Sequence, residues 1–403
     1  NGTPESETVN GELKSGEEIA GISQEMTINT GNGNNFFQVN RNIADLNLNG
    51  STGADTLEDN ITVVTGSNNL VNIDAGTGAD VATFNGSSSD EQFEIYSSSV
   101  EVVNKRLTYL TGVETVKVNG KGGSEVFNID TTVDKDGNSV QNSDITNIEI
   151  NGNFGDDLFE LQGTLSTIST ILHGNEGSDI FNVGNISNKV DSILGAVSIF
   201  GDESFDTFNF NNQGDRKDNS GSLSENTITG FGLGASIIYN SLEDILINLG
   251  SGDDTFTIEG TNTGTTVVNT NDGKDKVDIE SVSGQTTVNT GDDEDIITVD
   301  SFNSSESTAL EINSSDGDDY IDASAAIIDM IINGYDGDDT ILGGAGNDTI
   351  GGGADDDRID AGAGDDQIDG DSNFIDNRFR TESNRNQGDD TIWGGAGEDE
   401  ING

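Results

Sequence analysis

The chain has no cysteine, one proline (Pro4), one histidine (His173) and only 16 lysines and arginines against 75 aspartates and glutamates. Without cysteine there are no disulfides and no thiolate metal centres, so stability has to come from elsewhere. A single proline excludes a proline-rich linker. A lone histidine excludes the H-E-x-x-H zinc motif, and with it a protease of that type within these residues. Scarcity of positive charge leaves a formal net charge of −59. Such a polyanion does not bind nucleic acid or an anionic membrane unless a cation stands between them. No run of 18 apolar residues occurs, so no helical membrane span and no direct membrane insertion are expected. The chain opens at Asn1 with neither an initiator Met nor a signal-peptide pattern. The numbering is therefore expected to begin inside a longer or processed protein.

What is present argues against the disorder that high charge and 31% hydrophobic content would otherwise suggest. The acids are spaced, not blocked, and apolar residues return between them. Anchors of a G-x-D type unit fall at Asn35, Asp55, Asp80, Glu125, Asp157, Asp179, Asp206, Asp254, Asp275, Asp295, Asp319 and Asp339. Seven residues before each stands an aliphatic residue, as in Ile150, Leu172, Val268 and Ile332. One place later is usually Asn, as in Asn119, Asn151, Asn248, Asn269, Asn289, Asn313 and Asn333. Two places after the anchor the residue is apolar, and often Phe (Phe127, Phe159, Phe181, Phe208, Phe256). The unit reads as strand, tight loop, strand, with period-two alternation. Spacings of 21, 20, 24 and 20 residues from Asp254 to Asp339 suit one coil of a β-solenoid. The longer gaps, Asp80 to Glu125 and Asp206 to Asp254, are expected to hold a degenerate coil or a side excursion; Gln92–Ile95 looks like such a coil.

From Gly334 the period contracts to nine: GYDGDDTIL, GGAGNDTIG, GGADDDRID, AGAGDDQID, ending at Asp369. Two loop-strand units then make a coil of 18. The sixth places, Asp339, Asp348, Asp357 and Asp366, would stack like on like. Two unit charges about 5 Å apart cost roughly 1 kcal/mol in water and roughly 3 kcal/mol at an effective dielectric of 20. Something positive has to sit between them, and the chain is short of it.

These nonapeptides resemble the hemolysin-type (RTX) calcium-binding repeat, G-G-x-G-x-D-x-U-x with U a large apolar residue. GGAGNDTIG (Gly343–Gly351) and GGAGEDEIN (Gly394–Asn402) match at every defined place. The resemblance implies an all-β chain: a parallel β-solenoid of 20–24-residue coils over 23–333, after a tail or cap at 1–22, continuing into a parallel β-roll over 334–403. It also implies several calcium ions. Their ligands would be Asp339, Asp348, Asp357, Asp366, Asp390 and Asp399, with the loop backbone at Gly334, Asp336, Gly343, Ala345, Gly352, Ala354, Ala361, Ala363 and Gly394. Loops one coil apart would share each ion, pairing Asp339 with Asp357 and Asp348 with Asp366. The looser unit extends the candidates to Asp157, Asp179, Asp206, Asp254, Asp275, Asp295 and Asp319. Glycine would serve by permitting positive φ. There are departures: Asp355 replaces a fourth glycine, Ala361 a first, and Ser204 and Asp293 the glycine partner of their anchors. For the upstream loops a competing reading is a plain tight turn whose Asp caps its own backbone.

The Asn column is expected to stack as an amide ladder, with His173 in the same slot and structural. The insertion Asn373–Asn386, which carries Arg378, Arg380 and Arg385, interrupts the nonamer frame and should loop out. Every acid pair is accounted for by its loop, which leaves no unclaimed acid–base pair. The expectation is thus a non-enzymatic, extracellular calcium-binding structural protein of a bacterial surface layer, filament or adhesin, exported by type I secretion as the resemblance implies. Self-association or a cell-surface polysaccharide would be its partner. The alternative is a solenoid module of a secreted polysaccharide-active enzyme or a glycan-binding adhesin.

Overall fold

A computed structural model describes residues 7–10, 26–29, 34, 36–39, 46–60, 69–301, 309–375, 378–380 and 388–403. The described elements are all strands. They fall into two compact units: 1–185 with 191–207 and 239–241, and 186–190 with 208–238 and 242–403. The change of repeat length at Gly334 lies inside the second unit.

In the first unit the strands Asn147–Phe154 and Ser169–Glu176 run parallel and in register, Ile148 beside Thr170 and Asn151 beside His173. On the other side of the same coils, Val126–Asp130, Leu158–Gly163 and Ile180–Val183 pair the same way. Alternate residues are buried along each strand, as the period-two pattern requires. The phenylalanine column becomes a ring stack, with centroids 5.2, 4.9 and 4.6 Å apart through Phe93, Phe127, Phe159 and Phe181. Of the expected tail, Glu7–Asn10 is a strand laid parallel on Met26–Asn29; its other residues, like the anchor Asn35, lie outside the described residues.

Both outcomes foreseen for the long gap at 80–125 occur together. Gln92–Tyr96 is an extra coil strand, parallel to Val126–Asp130. Ser99–Val102 is an excursion, antiparallel to Gln92–Tyr96 and to Arg106–Thr111. In the second gap Ser220–Ser224 is the coil strand, parallel to Thr255–Ile258, and Thr227–Gly230 folds back on it antiparallel.

The second unit carries two parallel sheets. Asp244–Asn248, Thr265–Asn269, Gln285–Asn289, Ala309–Asp316 and Met330–Asp336 follow one another in one. From Gly334 successive nonamers alternate between the sheets. Thr340–Leu342 pairs with Arg358–Asp360, and Thr349–Ala354 with Gln367–Asp369. The inserted segment begins as an antiparallel hairpin, Asn373–Ile375 with Arg378–Arg380; Arg385 is outside the described residues. The coil resumes with Thr391–Trp393 on Arg358–Asp360.

The amide ladder is present. Asn269 donates to Asn248 at 2.8 Å, Asn289 to Asn269 at 2.7 Å, Asn313 to Asn289 at 2.9 Å and Asn333 to Asn313 at 2.8 Å. In the first unit it runs from Asn85 through Asn119 to Asn151. His173 takes the next place, its Nδ1 3.0 Å from Asp202 Oδ2 and its ring stacked on Phe200.

Candidate metal sites

Many loops take left-handed backbone at two places, four and two residues before the anchor. Asn153, Asn175 and Tyr335 hold the first with φ of 77°, 73° and 83°. At the second, Ser204, Asp293 and Asp355 take φ of 95°, 86° and 79° where other loops have glycine. Stacking thus imposes a conformation that side chains rarely adopt. The conserved geometry explains why those substitutions leave the coil intact.

The anchor carboxylates turn toward the neighbouring coil. One oxygen of Asp179 accepts the Asp157 amide at 2.8 Å, and one of Asp157 accepts that of Glu125 at 2.7 Å. In the second unit the same bond links Asp254 to Asp275, Asp275 to Asp295, Asp295 to Asp319, Asp319 to Asp339, Asp339 to Asp357 and Asp357 to Asp390. The opposite edge repeats it from Asp348 to Asp366 and from Asp366 to Asp399. The acids so linked include those expected to share an ion, Asp339 with Asp357 and Asp348 with Asp366, and the upstream carboxylates also bond across to the neighbouring coil. Asp206 joins the row through the Asp179 amide.

The other carboxylate oxygen is the informative one. In Asp80, Asp157, Asp179, Asp254, Asp275, Asp295, Asp319, Asp339, Asp357, Asp366 and Asp390 it is buried with no hydrogen-bond partner. A buried, unpaired carboxylate is costly when ionised. Burial accordingly pushes Asp179 up to about 7, Asp357 to about 8 and Asp339 to about 9. Burial, then repulsion within the acid row, raises Glu125 as well.

What this oxygen faces depends on the residue five places before the anchor. A Cβ on Gly334 would strike Asp339 Oδ2 and the Gly352 carbonyl; one on Gly352 would strike Asp357 Oδ2 and the Gly370 carbonyl. The first glycine of the nonamer therefore serves by leaving room, not by adopting positive φ as the sequence suggested. It opens a slot in which an acid oxygen of one coil and a backbone oxygen of the next converge. A Cβ on Gly394 would likewise strike Asp399 Oδ2. On the opposite edge Gly343 faces the Ala361 carbonyl, but the Asp348 second oxygen accepts the Gly344 amide at 3.1 Å. Ala361 closes the corresponding place beside Asp366 with a methyl group. Backbone at the other candidates takes part in coil stacking: the Asp336 and Ala354 carbonyls accept the Gly317 and Gly337 amides, and Ala345 and Ala363 donate to Ala326 and Gly344.

Among the described residues no three acidic or histidine side chains converge on one point. An ion here would draw most of its ligands from backbone carbonyls, with one or two carboxylates. Calcium takes six to eight oxygens of that mixture in flexible geometry, so the residues fit it. Bound there, the ion would supply the positive charge that the stacked acids lack.

Sequence reading missed one anchor, Glu91, and a further buried acid, Asp215, whose charges the chain itself offsets; in the coil of Asp215 the anchor place is Asn219, whose amide donates to Asp254. Glu91 is buried, and Lys105 Nζ lies 2.6 Å from its Oε1. Asp215 is buried with Lys189 Nζ at 3.6 Å. No G-x-D spacing marks either one; Lys105 reaches Glu91 from the turn between Ser99–Val102 and Arg106–Thr111.

Comparison with known families now adds a class to the geometry: this is a parallel β-solenoid carrying calcium-binding repeats. Residues 331–350, 346–373 and 386–403 match the RTX calcium-binding nonapeptide repeat, in four copies. No curated protein matches the chain.

Proposed function

We propose that this chain is a calcium-stiffened structural region of a bacterial extracellular protein: a surface layer, a filament or an adhesin shaft. The observation that carries the reading is the row of buried, unpartnered carboxylate oxygens at Asp339, Asp357 and Asp390, each beside a glycine slot in the matched repeats. Weak multiple sites fill at the millimolar calcium found outside cells and stay empty at cytosolic levels. That difference favours a chain that is expanded inside the cell and folds after export. A structural role is further supported by the way each buried acid is used. Asp179, Asp275, Asp339 and Asp357 each accept the backbone amide of a neighbouring coil's acid, so the row serves coil stacking. The partner is then another copy of the same protein or a cell-surface polysaccharide.

Negative-stain images of the protein in calcium and in excess chelator test this. Sheets, filaments or stiff rods that depend on calcium are expected. Particles of the same shape in both conditions would overturn the reading.

A further inference from the structure

Three solutions to one electrostatic problem occur along this chain. At Glu91 a lysine neutralises the buried anchor. A second solution appears at Asp275, Asp295 and Asp319, where the residue five places earlier is not glycine. Thr270 there donates its hydroxyl to the Thr290 carbonyl at 2.8 Å, Thr290 to the Ser314 carbonyl at 3.3 Å, and Ser314 to the Gly334 carbonyl at 3.0 Å. These side chains fill the slot and occupy the next coil's carbonyl oxygen. Each hydroxyl has one proton to give, and both that carbonyl and its own anchor lie within reach. Leu249 fills the place before Asp254 with an apolar side chain.

The third arrangement is the open slot, and it is not confined to the RTX-matched residues. A Cβ on Gly152 would strike Asp157 Oδ2 and stand 2.8 Å from the Gly174 carbonyl oxygen. One on Gly174 would strike Asp179 Oδ2 and stand 2.9 Å from the Gly201 carbonyl oxygen. These are the contacts made at Gly334 and Gly352, reproduced in a different compact unit. Asp157 and Asp179 are each 1% exposed, and the second oxygen of each has no hydrogen-bond partner. Neither makes an ion pair with lysine or arginine, in contrast to Glu91.

We infer that the slots at Gly152 and Gly174 are divalent-cation sites lying outside the RTX-matched residues, whereas the slots before Asp275, Asp295 and Asp319 are closed by hydroxyl side chains and hold none. The oxygens that converge there are carboxylate and carbonyl, a donor set that favours a hard cation such as calcium over zinc or copper. The proposal rests on the calcium reading of the matched repeats and extends it. It divides the coils by a single residue. Where that residue is glycine and no lysine reaches the acid, the slot is open to an ion; where it is Thr or Ser, the side chain occupies the slot and its hydroxyl takes the carbonyl.

The test compares three double variants of the full chain by calcium stoichiometry. D157N/D179N keeps the acceptor oxygen for the neighbouring amide and removes the charge. It should bind fewer ions than the unaltered chain, by about two, one for each slot that loses its acid. D275N/D295N should leave the stoichiometry unchanged. D339N/D357N reports on the matched repeats independently and should also lose ions. If D339N/D357N loses ions and D157N/D179N does not, the first-unit sites are overturned while the calcium reading stands. If neither loses ions, the calcium reading falls too. Should D157N/D179N not fold, anomalous calcium density in crystals of the unaltered chain decides. Peaks at Gly152 and Gly174, with none at Thr270 and Thr290, support the inference; the reverse distribution refutes it.

Discussion

The backbone amide of Asp339 donates to Oδ1 of Asp357, one coil further on, at 3.0 Å. That bond holds the two acids in stack and spends only one of the two Asp357 oxygens. The other is left buried beside Gly352 and the Gly370 carbonyl. The fold thus creates the charge problem through the same contact that gives it register.

Removing the charge from Asp357 should therefore have opposite effects with and without calcium. Asp357→Asn keeps the acceptor for Asp339. In chelator it removes an unpaired buried charge and should raise stability; in calcium it removes a ligand and should lower it, each by about 1–3 kcal/mol. Asp348→Asn should show a smaller calcium-dependent change, because the Gly344 amide already satisfies its second oxygen. Denaturant midpoints in the two media measure both variants. Equal shifts of one sign in both media would show that Asp357 is only a turn residue.

Acid should stand in for calcium. Folded Asp179, Asp357 and Asp339 are raised from 3.8 to about 7, 8 and 9 by burial. The folded chain without metal thus binds protons more tightly than the unfolded one. Their stabilising contribution is full below the unfolded value of 3.8 and is lost as pH rises through about 7 to 9. Circular dichroism in chelator should show β structure gained on acidification. In calcium the order reverses, since the ion competes with protons for the same oxygens.

The amide ladder should be indifferent to metal. Asn289 donates to Asn269 and accepts from Asn313. Asn289→Ala leaves both partners short of a bond and should cost about 1–3 kcal/mol, the same in calcium and in chelator. A cost seen only in calcium would tie the ladder to the ion sites instead.

Phe159 sits between Phe127 and Phe181 with no exposed surface. Phe159→Ala should cost about 3–5 kcal/mol. Because coils contact only their neighbours, hydrogen exchange should quicken most between residues 126 and 183 and fade along the unit. Uniform loosening would mark the unit as a single cooperative block.

Much of this architecture is legible because it is periodic. A strand–loop–strand unit writes its alternation into each copy, so Ile150, Asn151, Asp157 and Phe159 announce their places without any knowledge of the neighbouring coil. The same arithmetic pairs Asp339 with Asp357 and Asp348 with Asp366. Glu91 escaped it, since the lysine that neutralises it arrives through an inserted, antiparallel segment that breaks the period.

The sequence by itself determined the repeat, the faces of its strands, the Asn column and the row of acids, because each follows from residue order within one coil. Only the tertiary structure decided which acids are left with an open oxygen. That depends on what stacking brings to each acid: the next coil's carbonyl across a glycine at Gly152 and Gly334, a hydroxyl filling that place at Thr270 and Ser314, an ammonium from an inserted segment at Lys105. Those oxygens lie in different turns of the chain, and stacking alone brings them within a few ångströms of one another.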